Sequence, residues 1–471
     1  MRALSRRQLL KGLGLGTAGV MLAACQPVVV KETVVIKEAV EVEKEVTRVV
    51  EKVVEKEAAP KPKVEIRIHT NQGDQWYGWW NQAWETNVAG WRSEHPHIIP
   101  KFEPVAGWLN EYFPVIFAHV AAGTLGDIVW TRGTHRSNLS WALEYKIVRD
   151  LMPIVEALNY DLGQFYPGVI QQSSWEGQFF YMPLTSEPTC PVIAYNKDLI
   201  AEMGAPEPQN DWDYMELTEW GQGLTKDGVW GFHVGSMHGA TVSTTPQYRQ
   251  FGAKMVSDDG KIALPEDKDV AAVEKCIQWR HDLIYNYKTM PPPDAEFNTT
   301  DMFIAGKLAS FIVWPVYLGR LPVRVGEKFR VGFFLTPLNE KGAKRRSRLH
   351  EHVHGVTTAS KHPEEAFEFL AFHSSLEFAV QGMLVGKGST VGRPDFFEDP
   401  RTLKILPNLA LITPIMAEIE PDFFVGNYRG PEFEREWKAR YDLIMLNKLG
   451  VKEGVAEIKS VCQDVLDKPI A

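Results

Sequence analysis

The sequence has few cysteines and lacks common signatures of acyl-transfer and phosphate-binding enzymes. Only four of its 471 residues are cysteine, and their spacing matches no metal-binding motif. Two arrangements stay open for Cys190, Cys276 and Cys462: one disulfide with one free thiol, or three buried reduced thiols. A Gly-x-Ser-x-Gly elbow and a phosphate loop are both missing, so we expect no cofactor, no catalytic residues and no resident metal.

The chain has no surplus of positive charge. Its 60 acidic and 51 basic residues give a formal net charge of −9. Residues 1–30 carry four basic and no acidic side chains, and residues 31–63 are neutral in sum, so the body from Val64 onward carries −13. An acidic body without a basic stripe argues against a nucleic-acid partner.

The N-terminal apolar run is too short to span a bilayer. It covers 12–24, only 13 residues, whereas a spanning helix needs about 20. Ser-Arg-Arg-Gln-Leu-Leu-Lys at 5–11 matches a bacterial twin-arginine export signal. Leu-Ala-Ala-Cys at 22–25 is similar to a lipobox, in which the cysteine is lipidated and becomes the new N-terminus. We therefore expect residues 1–25 to be a lipoprotein signal peptide and the exported protein to be membrane-anchored through Cys25, at the cell surface or in the periplasm. An uncleaved anchor with an incidental cysteine is the alternative.

Residues 26–63 form a low-complexity linker of valine, glutamate and lysine. Apolar residues from Val35 to Val53 alternate in steps of four and three, which is the seam of a short coiled coil. Fewer than three such repeats make a marginal helix, and valine lowers helix propensity. We favour a spacer that holds the body away from the membrane over a coiled coil.

Strand-like and helix-like segments alternate from Val64 onward. Strands are predicted at 64–69, 97–104 and 126–130, with helices between them. This order is typical of a parallel α/β sheet, in which ligands bind beyond the carboxyl ends of the strands. The rule selects the loops at 71–80 and 131–137 as ligand-binding loops.

Four tryptophans fall in or beside the first of these loops. Tryptophan is costly to expose and stacks well on the flat apolar face of a sugar ring. We predict that Trp76 faces the ligand, whereas Trp80 and Trp84 pack the helix that follows. Asp74 in the same loop and Arg132 after the third strand complete the candidates from this half of the chain.

The stretch from Gly177 to Thr225 reads as a strand, a proline-bounded break, a second strand and two helix starts. Its motifs, in order, are Tyr-Met-Pro at 181–183, Glu187, Tyr-Asn-Lys-Asp-Leu at 195–199 and Asp-Trp-Asp at 211–213. This series resembles the extracytoplasmic solute-binding proteins of ABC transporters, of the large carbohydrate-binding type (family 1). Residues 303–309 and 360–370 also resemble family elements, and the resemblance covers Val64 to about Ala471.

The resemblance implies an α/β fold of the periplasmic-binding-protein type II class, with two α/β lobes, a hinge and a ligand cleft between the lobes. We expect lobe one to comprise 64–186 and 320–359, because 331–338 resembles the strand that returns to the first lobe. Lobe two is then 187–319 and 360–471.

The function implied by the resemblance is capture of a carbohydrate, expected to be an oligosaccharide, and its delivery to an ABC transporter permease by a monomer that is not an enzyme. Glu187 can accept hydrogen bonds from ligand hydroxyls. Trp314 and Tyr317 precede the expected return crossing, and Tyr428 lies where the family often supplies a stacking residue.

Three histidines, at 350, 352 and 354, alternate on a predicted strand, and a period of two places them on one face. Metal binding is one reading, since imidazole suits zinc or copper. The favoured reading is that His352 or His354 lines the cleft, where the family usually has glycine.

Other functions remain open on the sequence alone. A secreted carbohydrate-processing enzyme would need two facing carboxylates, for which Asp74 and Glu187 are candidates without a supporting motif. The solute could instead be a peptide, a polyamine or a polyol phosphate. A signalling or adhesion lipoprotein would keep the fold without a permease.

Overall fold

The computed structural model describes residues 29–36, 48–55, 61–71, 88–105, 109–132, 141–235, 244–293, 298–386, 390–421 and 429–468. The chain divides into two compact units, Met1–Pro62 and Lys63–Ala471, which are taken separately. In the described part of the chain, no helix combines the length and the apolar composition needed to cross a bilayer.

The N-terminal unit contains a pair of antiparallel strands. Strand β1, Val29–Ile36, pairs with β2, Arg48–Glu55, so that Val29 lies opposite Glu55. The coiled-coil interpretation is therefore wrong for these residues, since Val35 and Val53 lie in strands. The physical reason is that β-branched valine loses side-chain freedom in a helix and fits a pleated surface.

The body contains two main sheets and a short hairpin. Its strands are β3 Val64–Asn71, β4 Ile98–Val105, β5 Ile128–Arg132, β6 Ser174–Trp175, β7 Gln178–Phe179, β8 Met182–Pro188, β9 Val192–Asn196, β10 Ser310–Val313, β11 Val331–Leu335 and β12 Leu349–Val356. The first sheet has the order β4-β3-β5-β12-β8, and the second has the order β10-β9-β11. In the first sheet β3 runs parallel to β4 and β5, while β12 is antiparallel to β5 and β8.

The sheets of the described body are accompanied by many helices. They are α1 Leu109–Ala122, α2 Met152–Ala157, α3 Pro167–Gln172, α4 Lys197–Glu202, α5 Tyr214–Leu224, α6 Thr245–Gln250, α7 Asp267–Tyr285, α8 Thr299–Ile304, α9 Tyr317–Val325, α10 Pro363–His373, α11 Leu376–Gly386, α12 Pro394–Glu398, α13 Pro400–Ile405, α14 Thr413–Ala417, α15 Gly430–Met445 and α16 Val451–Leu466. Residues 162–164 and 407–411 form 3-10 turns, and 88–94 are also helical.

Local capping signals explain where the helices of the central stretch begin. The side chain of Asn196 accepts hydrogen bonds from the backbone N–H groups of Asp198 and Leu199, which starts α4 as predicted. Asp213 and Glu216 form a reciprocal capping box at the start of α5. Both caps fix how the chain leaves the strand or loop that comes before.

Strand β11 belongs to the second sheet, which corrects the predicted division of the chain. It pairs antiparallel with β9, Gly332 lying opposite Tyr195. A Cβ atom at position 332 would lie 2.3 Å from the Tyr195 ring, so this close pairing requires glycine. The segment 331–338 therefore does not return to the first sheet, and the return occurs between Leu335 and Leu349.

The C-terminal residues are divided between the sheets, which corrects the placement of 360–471 as one block. Helix α10 contacts β3, β8 and β12 of the first sheet, and α14 contacts β8. Helices α15 and α16 pack on each other and on α7, in the apolar cluster that also contains Ile193 of β9. We call the first sheet with its helices the first lobe, and the second sheet with its helices the second lobe.

Three segments of the chain pass between the lobes. They connect β8 to β9 (189–191), β11 to β12 (336–348) and α14 to α15 (418–429, of which 418–421 and 429 are described). The carboxyl ends of β3, β5 and β8 and the amino end of β12 lie at the same edge of the first sheet, because β12 runs against the other three. That edge is where the rule for parallel sheets places a ligand.

Candidate functional site

Glu187 lies at this edge, as the next-to-last residue of β8 before the first crossing. It is in β8 directly opposite His350 of β12, and both side chains are buried. Only Thr189 to Pro191 separate β8 from the second lobe. The acid that the sequence analysis predicts as a ligand-binding residue therefore lies beside the first crossing.

A row of four aromatic rings links the two lobes next to Glu187. Trp314, which follows β10 of the second lobe, meets His350 edge to face with ring centroids 4.9 Å apart. His350 lies 5.2 Å from His352, and His352 lies 5.5 Å from Trp130 of β5. Trp314 is partly exposed, while the other three are buried. Trp314 is therefore the member of the row on which the flat face of a ligand could stack.

The three histidines of β12 do not act as a group. His350 contacts the second lobe through Trp314, whereas His354 is buried against His373 of α10, with ring centroids 6.4 Å apart. Burial lowers the pKa of His354 from 6.5 to about 3, so it is neutral near pH 7. This placement inside the first lobe argues against His354 as a cleft residue. His352, the other histidine predicted for the cleft, belongs to the aromatic row and is separated from the partly exposed Trp314 by His350 alone.

Residues 350–354 also spell His-Glu-x-x-His, which binds zinc when it lies on a helix. On a helix the two histidines share one face, but here they lie in strand β12, about 13 Å apart at four strand steps. Zinc needs its ligands within about 2 Å of the metal. No group of three or more His, Cys, Asp or Glu among the described residues is arranged to hold a metal ion.

Glu351, between two of the histidines, is fully buried on β12. The hydroxyl of Ser186 donates a hydrogen bond to its Oε1 at 2.9 Å. Burial raises the pKa of this carboxyl from 4.5 to about 8, although hydrogen bonds from Ser186 and Gln172 lower it. The carboxyl of Glu351 is therefore protonated near pH 7.

The other predicted site residues are placed as follows. Tyr317 begins α9 and is partly buried, its ring 6.5 Å from that of Phe311. Arg132 is the last residue of β5, opposite His352, and its side chain lies outside the described residues. Asp74, Trp76, Tyr428 and Cys25 also lie outside them. The remaining cysteines, at 190, 276 and 462, are buried free thiols, which settles the alternative that the sequence left open.

Sequence reasoning missed two members of the aromatic row, His350 and Trp130. Trp130 is visible as the tryptophan at the end of a predicted strand, so the strand-end rule could have selected it. The contact of His350 with Trp314 joins residues of different lobes, and no local pattern reveals such a pair.

Comparison with known proteins places the chain in a family. The sequence model described as "Bacterial extracellular solute-binding protein" matches residues 49–377. The putative ABC transporter periplasmic-binding protein YcjN of Escherichia coli (strain K12) is 22% identical over 322 residues, covering 64% of this chain and 68% of the relative.

Solved structures show the same fold at low identity. The maltose-bound T. maritima MalE3 matches with a TM-score of 0.69 and 18% identity, covering 85% of this chain and 99% of that one. The cyclic alpha-maltosyl-1,6-maltose binding protein from Arthrobacter globiformis matches with a TM-score of 0.70 and 16% identity, covering 86% and 99%. The predicted two-lobed α/β periplasmic-binding-protein fold is confirmed.

The chain belongs to the bacterial extracellular solute-binding proteins, because the family model spans more than half of it. It is a substrate-binding protein of the ABC transporter type and not an enzyme. The enzyme alternative that the sequence left open is therefore set aside.

Proposed function

We propose that this protein captures a carbohydrate, in the size range of an oligosaccharide, between its two lobes and delivers it to an ABC transporter permease. The observation that carries the proposal is the partly exposed ring of Trp314, which contacts His350 directly opposite Glu187 at the carboxyl edge of the first sheet. Sugars need both a flat apolar platform and hydrogen-bond acceptors. Structural neighbours that bind maltose and a cyclic maltosyl-maltose support this class of ligand.

The remaining candidates complete the proposed cleft from the loops that leave the same edge. Trp76 and Asp74 follow β3, and Arg132 ends β5. Tyr317 follows Trp314 on the second lobe, and Tyr428 lies in the third crossing. Closure of the lobes would desolvate these groups and favour ligands that pair every buried polar atom.

Delivery requires that the protein stays near its permease. We propose that a lipid on Cys25 anchors an exported monomer, with residues 26–63 as the spacer. The charge of −13 on the body gives no support to a direct electrostatic attachment to acidic lipids.

The proposal is tested by isothermal titration calorimetry with maltose, maltotriose and a cyclic maltosyl-maltose. A tripeptide, spermidine and glycerol 3-phosphate form the counter-panel. We expect binding of at least one sugar and none of the counter-panel, and uptake of that sugar only in cells that carry a partner permease. Binding of a counter-panel compound with no sugar bound would overturn the carbohydrate assignment.

A further inference from the structure

One arginine of the second lobe bonds to two of the three crossing segments. Arg249 lies near the end of α6, which packs on α7. Its Nη1 donates to the carbonyl oxygen of Ser347 at 2.9 Å, in the second crossing, and its Nη2 to the carbonyl oxygen of Pro421 at 2.8 Å, in the third. The side chain is only 5% exposed, and the carboxylate of Glu420 lies 3.9 Å away. Hydrogen bonds from a buried guanidinium are directional and strong.

Gln250, the next residue, forms two further hydrogen bonds with the second crossing. The Nε2 of Gln250 donates to the carbonyl oxygen of Lys344 at 3.3 Å, and the backbone N–H of Arg346 donates to the Oε1 of Gln250 at 2.8 Å. Helix α6 therefore holds the segment from 344 to 347 through three hydrogen bonds. Two are donated to the carbonyl oxygens of Ser347 and Lys344, and one is accepted from the backbone N–H of Arg346.

The second crossing in turn is bonded to the first. The backbone N–H of Thr189 donates to the carbonyl oxygen of Arg348 at 2.8 Å, and the hydroxyl of Ser347 donates to the carbonyl oxygen of Thr189 at 3.3 Å. All three crossings are thus joined in one hydrogen-bonded layer. Thr189 is two residues from Glu187 and Arg348 is two residues from His350, so the layer continues directly into the candidate site.

A rotation of the second lobe about the crossings carries α6 with it. Such a rotation must change the distances from the Arg249 guanidinium to the Ser347 and Pro421 carbonyls, which belong to the crossings. We propose that Arg249 is a positioning residue that sets the angle between the lobes, and through it the affinity for ligand, without contacting the ligand. The part of this inference that concerns affinity rests on the proposed function; the part that concerns the angle does not.

The angle between the lobes is tested without any ligand, by double electron–electron resonance, which measures the distance between two spin labels on the full chain. Labels are attached at Ser93→Cys, in the first lobe, and Ser460→Cys on α16, both exposed, in a Cys25→Ser background where the other cysteines are buried. We expect Arg249→Ala to give a distance distribution at least about twice as wide as the wild type, because the ensemble of lobe angles is no longer restricted. Arg249→Lys should give a distribution of intermediate width, between those of the wild type and Arg249→Ala, since an ammonium can still donate to one of the two carbonyls.

The matched control is Lys254→Ala, which removes an exposed cation of the same region whose bond to Asp258 stays within the second lobe. It should leave the distribution unchanged. A folded Arg249→Ala variant, with wild-type circular dichroism and cooperative melting, that shows the wild-type distribution would overturn the inference.

If Arg249→Ala does not fold, Arg249→Lys decides, because the ammonium keeps the positive charge but can donate to only one of the two carbonyls. A broader distribution supports the inference, and an unchanged one overturns it. For a sugar that binds the wild type, we expect Arg249→Ala to raise Kd about tenfold as the binding-competent fraction falls. Failure of every sugar to bind would refute the proposed function while leaving the distance result to decide this inference.

Discussion

Replacing Glu351 by glutamine is expected to remove a pH dependence from the stability of this protein. In the folded chain the carboxyl is fully buried beside Ser186, and its pKa is raised by burial from 4.5 to about 8. In the unfolded chain it is hydrated and ionises at its ordinary pKa. Between pH 4.5 and about pH 8 the folded state therefore holds a proton on Glu351 that the unfolded state has released.

The sign and size follow from proton linkage. Because the folded state binds more protons in this window, stability falls as pH rises, by about 1.4 kcal/mol for each pH unit. The contribution of the Glu351 carboxyl to the free energy of unfolding is fully present below pH 4.5. It is lost progressively up to about pH 8, a total on the order of 5 kcal/mol. Glutamine keeps the shape and an oxygen for the Ser186 hydroxyl but does not titrate. The difference between variant and wild type should therefore grow in favour of glutamine as pH rises.

The measurement is urea unfolding of both proteins at half-unit steps from pH 4.5 to 8.5. Buried histidines such as His69 and His233, whose pKa values are lowered to about 4 and about 3, also contribute in the acid part of this range. Their contribution is common to both proteins and cancels in the difference. Glu364→Gln, at an exposed position of α10, is the matched control and should run parallel to the wild type. Parallel curves for Glu351→Gln and wild type would refute the reasoning.

Four further outcomes are expected. Trp314→Ala should weaken sugar binding at least about fivefold, since an aromatic platform contributes on the order of 1 kcal/mol beyond burial; calorimetry that finds wild-type affinity would remove Trp314 from the site. Trp76→Ala and Glu187→Ala should each weaken binding by at least about fivefold with little change in melting temperature, and unchanged affinity in both would show that the cleft is elsewhere. Cys25→Ser should leave an unlipidated precursor with an intact body, which fractionation and melting can check; a membrane-anchored variant would contradict the lipobox. A saturating sugar should reduce the radius of gyration in X-ray scattering, whereas an unchanged radius together with unchanged tryptophan fluorescence would speak against closure.

Short-range signals allowed most of the secondary structure to be predicted. The strand at 64–71, the helix at 109–122 and the helices that start after Asn196 and Asp213 follow from alternation, apolar spacing and capping residues within a few positions. These signals are local because the physical causes are local. A side-chain cap bonds to a backbone N–H two or three residues away.

Sheet membership could not be predicted in the same way. The sequence of β11, Val-Gly-Phe-Phe-Leu, is equally suitable for a strand of either sheet, so the prediction that it returns to the first lobe is wrong. What decides is its partner β9, more than 130 residues earlier, and the fit of Gly332 over the Tyr195 ring. The same limit applies to the site. Glu187 and Trp314 were selected from motifs, but the ring contact between Trp314 and His350 depends on how two distant segments meet.

The three crossings mean that neither lobe is a continuous piece of the polypeptide. The first lobe takes residues from 64–188 and then from 349–417, so its sheet cannot be completed until β12 has been made, some 160 residues after β8. Contacts at such sequence separation slow folding, because a long loop must close before they form. A protease cut in the second crossing would likewise not release a lobe: each fragment would carry parts of both. Fragment libraries cut at lobe boundaries should therefore yield no independently folded half.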